Sequence, residues 1–493
     1  MTSSIASDVI VVGCGPTGLV LSILLAQRGH SVTVLERQPS LYPLPRAAHF
    51  DHEVGRILQS CGVGTELRTI IEPADIYEWR NGAGETLLRF GWSGETPSGW
   101  PISSMFSQPE LEDLLNRRAS ECSSLTLIRG AEVTSLTQSS DSVEVGTATE
   151  QTYRANYVIG ADGARSITRS LLGIETIDLG FFYDWLVVDV IPNEHRVYDP
   201  INVQICDPAR PTSVISGGPG RRRWEFMVLP HESVEEISTE AKTWELLEPW
   251  DITPRNARLE RFTNYRFHAC YAEQWQRGRV LLAGDAAHQM PPFAGQGMCS
   301  GIRDSMNLAW KLSLVLTGRA SDTLLDSYVI ERLPQVRQTI EFAMALGKVI
   351  CVPDVEEASQ RDTAMKSMVK DELSEGPGQP GLESGIIDDS PWAGQLFVQG
   401  LIDGELFDDI HGVGWRLITI DSETIASDAA TWFCSIDGEI VVIPSGDGVI
   451  QRWFESHGCS WVLQRPDFSI FGTATNARDA GSMIHRLRHV IQP

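Results

Sequence analysis

The hydrophobic pattern opens with Asp8-Val-Ile-Val-Val12, a β-branched run that breaks at Gly13-Cys-Gly15-Pro16-Thr17-Gly18. The apolar stretch Leu19–Ala26 follows and closes at Gly29, and Ser31-Val-Thr-Val-Leu35 then ends on the acid Glu36. Short apolar runs bounded by glycine read as strands buried on both faces, and a longer run opening at a glycine turn reads as a helix. The pattern predicts strand, turn, helix and second strand in that order.

Two later turns repeat the arrangement of apolar run and glycine. Tyr157-Val-Ile-Gly160 leads into Ala-Asp162-Gly163, and Val280-Leu-Leu-Ala leads into Gly284-Asp285-Ala-Ala-His288. The second continues as Pro291-Pro292-Phe-Ala-Gly295-Gln-Gly297-Met298 and a helical pattern over Ser300–Leu316. Period-two alternation marks Trp185–Val190 and Arg223–Leu229 as strands. In the latter, Trp224, Phe226 and Val228 share one face and Glu225, Met227 and Leu229 the other. Alternation alone leaves open which face meets a ligand. The charged tract Asp354–Pro391, with Gly376-Pro-Gly-Gln-Pro-Gly381, reads as a linker. Beyond it, Arg416–Ile420, Glu439–Ile443 and Ser460–Gln464 alternate with helical segments, which predicts a small α/β unit. No internal repeat is present.

Composition narrows the function classes. A chain of 493 residues is long enough for two or three domains. Its 42% hydrophobic and 21% charged content is globular and excludes disordered, collagenous and coiled-coil chains. Forty basic against 65 acidic residues give a net charge of −25, which repels a phosphate backbone and disfavours nucleic-acid partners. The nine cysteines are scattered, with no CxxC and no metal-ligand spacing, so the expectation is reduced thiols and no metal. Cys434 and Cys459 are too isolated for a dithiol motif, which favours a structural role. Met1–Ser7 is polar and lacks a basic start, and Leu19–Ala26 is too short to span a bilayer, so the expected location is cytoplasmic, without a membrane partner.

The glycine spacing carries the first chemistry. Gly13 suits a tight turn, Gly15 a close approach of backbone to pyrophosphate, and Gly18 close packing of helix on strand. The helix N-terminus, with Pro16 and Thr17, offers free N–H groups and a positive dipole end to phosphate. Glu36 would accept hydrogen bonds from adenosine ribose hydroxyls. This points to a dinucleotide rather than a turn serving packing only, without separating NAD from FAD. Asp162 and Asp285 could each bind ribityl hydroxyls or simply cap a helix.

The Tyr157–Ser166 and Val280–His288 runs resemble the two later motifs of the single-component FAD-dependent aromatic hydroxylases, the p-hydroxybenzoate hydroxylase-like group. Pro45-Arg46-Ala-Ala-His49-Phe-Asp51, Gln108–Glu112, Cys206–Pro211, Arg223–Met227, Gly295–Asp304 and Arg465-Pro-Asp-Phe468 are similar to the 3-(3-hydroxyphenyl)propionate hydroxylases within it. The resemblance implies an α/β fold with a Rossmann-like FAD-binding domain of the GR2 type, discontinuous over 1–75, 101–175 and 270–350. An inserted substrate-binding sheet over 76–100 and 176–268 would roof the flavin. A linker at 351–391 would lead to a thioredoxin-like domain at 392–493.

The same resemblance implies FAD as cofactor, NADH or NADPH and O2 as co-substrates, a small aromatic substrate and a homodimer. The implied reaction hydroxylates a phenol through a flavin C4a-hydroperoxide, ortho to an existing hydroxyl. Epoxidation and Baeyer–Villiger oxidation on the same fold stay open, as does a non-catalytic FAD protein, whereas a halogenase would be expected to carry a WxWxIP-like stretch that is absent. By resemblance, Arg37, Arg46, Gln108, Val133, Gly163, Gly284, Gly295, Gly297 and Met298 join the glycine motif, Glu36, Asp162 and Asp285 around FAD. Pro292 would border the flavin ring and, with His49 and Asp51, form the catalytic group. For Arg46 a surface position, for Gln108 a helix-start role and for His49 a packing role are the alternatives, and His288 is expected to brace its turn. Arg223, Trp224 and Phe226 are the substrate candidates, with a solvated strand end the other reading of Arg221–Arg223.

Overall fold

Ile5–Val12 lies inside an eight-stranded sheet, paired in parallel with Thr152–Gly160 on one side and Val32–Glu36 on the other. Leu125–Arg129 extends the parallel set beyond Val32–Glu36, and Val280–Leu282 extends it beyond Thr152–Gly160. Covered on both faces, Val9, Ile10 and Val11 are fully buried, which is why this stretch reads as unbroken apolar sequence. The helix Pro16–Gln27 buries Leu19 to Ala26 without a break, because the sheet, the helix Gln108–Glu121 and the helix Gly297–Leu316 surround it. The computed structural model describes residues 5–92, 94, 96–368, 374–375, 378, 380–444, 446 and 448–492. Among these no helix is long and apolar enough to cross a membrane.

A second eight-stranded sheet runs Ala257–Arg266, Asp184–Pro192, Arg222–Met227, Thr212–Ser216, Asn202–Cys206, Ile76–Asn81, Thr86–Gly91 and Ser374–Glu375. Its two faces differ in what covers them. On one, Leu186, Val188, Val214, Trp224 and Phe226 pack beneath the helices Val234–Ile237 and Glu240–Leu247. On the other, Trp79, Trp185, Met227 and Phe267 pack against Phe293, from the turn after Gly284-Asp285, and against Ile350.

The C-terminal unit holds a four-stranded sheet in the order Glu439–Val442, Arg416–Thr419, Trp461–Gln464, Ile470–Ala474. The first pair is parallel and the other two antiparallel, the thioredoxin-like arrangement. Leu417 and Leu463 face the helices Ser427–Ser435 and Ala477–Ile491, while Ile418 and Val462 face the helix Val449–His457.

The tract expected to be a linker is partly helical. Asp354 accepts from the Glu356 and Glu357 amides and starts a helix, Val355–Met368, that packs on Thr86–Gly91 through a narrow face including Ala358 and Met365. Its mostly solvent-facing, charged surface hid the helix from a composition reading. Of the Gly376–Gly381 run, residues 376, 377 and 379 lie outside the described residues.

Candidate active site

Each glycine of the first motif meets a different surrounding. Gly13 has φ +103°, and a Cβ there would sit 2.4 Å from the Ala161 carbonyl oxygen. A Cβ on Gly18 would lie 2.1 Å from the Gly13 oxygen, whereas one on Gly15 would meet nothing within 4 Å. Gly13 and Gly18 are thus filled by protein, and Gly15 faces open space at the start of Pro16–Gln27. That helix has no side-chain cap and no acid in its first turn, which leaves its leading N–H groups free for an anion. Thr17 packs under the second motif, its Oγ1 2.7 Å from where a Gly284 Cβ would be. Glu36 accepts from the Cys14 amide at 2.9 Å and the Gln38 amide at 2.7 Å, which holds its carboxylate against the glycine loop. Arg37 is exposed, and Val133 is buried at the start of Val133–Gln138.

The two aspartates that look alike in sequence have different fates. Asp162 folds back on its own chain: one oxygen accepts from the Ser166 hydroxyl at 2.5 Å, the other from the Thr168 amide and hydroxyl at 2.9 and 3.0 Å. Ser166, not Asp162, is the N-cap of the helix Ile167–Leu171, which Asp162 supports through the Thr168 amide, while the backbone of neighbouring Gly163 (φ +81°) borders open space. Asp285 has no hydrogen-bond partner among the described residues and stays accessible to water. Its recess pushes the carboxyl upward through loss of solvation, with His288 and Arg46 opposing.

Gly284, beside it, is held from behind. Its amide donates to Asp304 Oδ2 at 2.9 Å, which also pairs with His288 Nε2 at 2.7 Å, and Arg332 Nε meets Asp304 Oδ1 at 2.9 Å. His288 is a brace, as expected. Burial alone would raise the Asp304 carboxyl, yet His288 and Arg332 hold it down at about 2. Sequence reading missed Asp304 and Arg332 as supports of this turn; Asp304 was visible only as the last residue of a resembling run.

Pro292 begins a short turn, Pro292–Ala294, that ends at Gly295 in the left-handed region (φ +64°). His49 Nδ1 lies 3.4 Å from the Gly295 carbonyl oxygen, and a Cβ on Gly295 would crowd it at 2.8 Å. Burial lowers the His49 pKa, with Asp51 opposing, which favours the neutral ring. Gly297 and Met298 open the helix Gly297–Leu316, which also lacks a side-chain cap and a first-turn acid.

Asp51 departs from its expected catalytic role. It caps the helix His52–Leu58 through the Val54 amide at 3.1 Å, pairs with Arg303 at 2.6 Å and accepts from Gln296 at 3.0 Å. That pairing outweighs burial and holds its carboxyl well below the usual range, so it is a committed structural anion. Gln108 receives the Ala47 amide at 2.6 Å and donates to Glu112 at 2.6 Å, while Arg46 pairs with the same Glu112 oxygen at 2.7 Å. The loop carrying Arg46 and His49 is thereby tied to the helix Gln108–Glu121.

Two open helix N-termini, an unpartnered carboxylate at Asp285 and free space over Gly15 fit a long ligand with an anionic middle and hydroxyl groups. The FAD binding domain family model matches residues 6–343 of the chain. The chain belongs to that family, among its aromatic hydroxylases. A probable NADH-specific resorcinol 4-hydroxylase of Rhodococcus jostii is 38% identical over 99% of this chain and 96% of its own length. A 3-(3-hydroxy-phenyl)propionate/3-hydroxycinnamic acid hydroxylase of Mycobacterium sp. strain JLS is 30% identical over 99% of this chain and 93% of its own. In structure the chain is similar to the flavin-dependent monooxygenase PieE, solved with FAD and substrate (TM-score 0.79, 23% identity, 98% and 99% of the two chains). It is similar in fold also to aklavinone-11 hydroxylase, solved with FAD and aklavinone (TM-score 0.79, 24% identity, all of both chains).

The hydroxylase therefore uses FAD, with a reduced nicotinamide and O2 as co-substrates. Its substrate candidates need correction. Trp224 and Phe226 lie on the face of the second sheet that packs under the covering helices, away from Phe293 and the flavin turn. Met227 occupies the other side, packed with Phe293, because the second layer of helices claimed the more apolar face. Arg223 is neither a solvated strand end nor free for a substrate anion: it is 3% exposed. It pairs with Asp189 at 2.6 and 3.2 Å and donates to the Arg46 carbonyl at 2.7 Å.

Proposed function

We propose that this hydroxylase inserts one oxygen atom of O2 into a phenolic ring, ortho to an existing hydroxyl, with NADH as reductant. The observation that carries this reading is the aromatic cluster where the Pro292–Gly295 turn meets the second sheet. In it Phe293, Trp185 and Phe267 meet edge-on or tilted at 5.7–6.3 Å between ring centres, and near the turn His49 lies 6.1 Å from Trp92. A packed aromatic border of this kind would suit a flat, weakly polar ring and keep water from the reaction. The NADH-specific resorcinol hydroxylase at 38% identity supports both the phenolic substrate and the choice of NADH.

Bound FAD would supply the activation of O2 for transfer of an oxygen atom to an electron-rich ring. Around it the chain's residues position and insulate. Asp285 and the glycine-loop amides would hold FAD hydroxyls and phosphates, and the Pro292–Gly295 turn would set its ring. His49, with Nδ1 facing the Gly295 carbonyl, would offer Nε2 as an acceptor for the proton of the phenol hydroxyl that neighbours the carbon under attack.

The test is NADH and NADPH oxidation by the purified holoenzyme with and without a panel of phenols, with hydrogen peroxide and ring products measured together. The reading stands if a phenol speeds NADH oxidation, lowers the peroxide share and yields an ortho-dihydroxylated ring. Oxidation that ignores every phenol, or that gives peroxide alone, refutes it.

A further inference from the structure

The segment Gly295-Gln296-Gly297 joins the Pro292–Ala294 turn to the helix Gly297–Leu316, and Gln296 supplies its only side chain. Glycine on both sides leaves such a backbone pliable. Gln296 is nonetheless held at both ends of its amide. Its Nε2 donates to Asp51 Oδ2 at 3.0 Å, and its Oε1 accepts from Arg303 Nη1 at 3.0 Å. Arg303, about two helical turns further on, donates Nη2 to the same Asp51 oxygen at 2.6 Å and Nε to Glu53 at 2.5 Å. Gln296, Arg303 and Asp51 thus close a buried ring, with Glu53 at its rim.

The ring fastens this segment to one strand. His49 and Asp51 are alternate residues of the strand His49–Asp51 and share a face. His49 Nδ1 lies 3.4 Å from the Gly295 carbonyl oxygen, and Asp51 meets Gln296 one residue further along. Two rungs therefore set the strand against the segment. Burying a guanidinium and a carboxylate costs desolvation that packed apolar side chains avoid, so such a ring is a poor device for stability alone. What it supplies is register, because a forked guanidinium and a bound amide admit one placement of Gln296.

We infer that Arg303 is a positioning residue for the cofactor: acting through Gln296, it fixes the Gly295–Gly297 segment against the His49 strand and so sets where that segment meets the flavin ring. This rests on the reading above in which the Pro292–Gly295 turn sets the ring. Each of the three guanidinium nitrogens of Arg303 already donates within the protein, so its effect on the cofactor passes through Gln296.

The experiment titrates FAD into apoprotein by flavin fluorescence, and records the visible spectrum of the loaded protein and the melting temperature of the apoprotein. Gln296→Leu cuts the link to the segment while Arg303 keeps both carboxylates. It is expected to weaken FAD about tenfold and to shift the visible bands. Arg303→Met should weaken FAD to a similar extent, with a larger fall in melting temperature because two carboxylates lose their cation. The double variant should bind FAD no more weakly than the worse single, since the two side chains act in series. Arg303→Lys, which keeps the charge without the fork, should lie between wild type and Arg303→Met, and it replaces the methionine variant in every comparison should that one fail to fold. A lower melting temperature with wild-type FAD affinity and spectrum makes Arg303 structural only and overturns the inference. So do single-variant losses that simply add in the double variant. Gly295→Ala, whose methyl would crowd His49 Nδ1 at 2.8 Å, tests the underlying reading. If it shifts the flavin spectrum and the Arg303 variants do not, the inference alone falls. If none of them shifts it, the turn lies away from the flavin ring and both fall.

Discussion

Arg465 of the C-terminal domain places its two terminal nitrogens on the two carboxylate oxygens of Glu331, at 3.0 and 2.7 Å, in the second turn of the helix Asp326–Ile350. Both side chains are fully buried, and Lys311, Asn307 and Asp467 complete the cluster. One residue further along that helix, Arg332 holds Asp304 and through it the Gly284 amide. The C-terminal domain and the flavin turn are therefore braced by adjacent residues of one helix.

Removing one member of such a pair leaves an uncompensated buried charge. Arg465→Met is expected to destabilise the protein by about 3–5 kcal/mol, read as a lower midpoint of urea unfolding. A midpoint within error of the wild type would show that the cluster contributes nothing net.

Asp304 titrates at about 2 when folded, against 3.8 unperturbed. A depressed carboxyl contributes stability above its unfolded pKa and loses it as pH falls toward the folded one. Asp51 and Glu331 are shifted in the same direction. Thermal midpoints should fall steeply below about pH 4, and Asp304→Asn, lacking one of these protons to gain, should show a shallower acid limb. An acid limb in the variant as steep as the wild type's would contradict the assignment.

Gly15 and Gly18 separate binding from folding. Gly18→Ala drives a methyl into the Gly13 oxygen and should lower yield and melting temperature. Gly15→Ala adds its methyl to empty space, so the apoprotein should melt as the wild type does while FAD titration shows weakened binding. Equal FAD affinity in Gly15→Ala would mean the pyrophosphate lies elsewhere.

Asp285 is an unpartnered carboxylate in a recess. Asp285→Ala should leave the apoprotein about as stable, since its side chain makes no hydrogen bond to lose among the described residues, while FAD affinity falls about tenfold or more. Fluorescence titration of FAD into apoprotein, beside calorimetry of the same sample, gives both readouts. Wild-type affinity in the variant would return Asp285 to a structural role.

The strand, turn, helix and strand beginning at Asp8 were legible because their determinants are local. A glycine that must turn at φ +103°, or admit a backbone oxygen, is constrained by its nearest neighbours, and so is a run buried on both faces. The small α/β unit beyond the linker tract could be read from its short strands for the same reason. The helix Val355–Met368 escaped because only a narrow face of it is buried, and charge dominates the rest.

Sequence by itself determined the cofactor class, the order of the elements and the candidate side chains of the site. Tertiary structure alone decided what those side chains do. Alternation along Arg223–Leu229 offers two equivalent faces until a layer of helices takes one of them, which put Trp224 and Phe226 under the helices and left Met227 against Phe293. Asp162 and Asp285 occupy similar glycine-flanked positions, yet one finds Ser166 and Thr168 within reach and the other finds no partner. Asp51 and Arg223 read as chemistry in the chain and became structure once Arg303 and Asp189 arrived from distant segments. A side chain's propensity belongs to its residue, but its partners come from wherever the fold brings them, and the partners settle its charge, its orientation and its role.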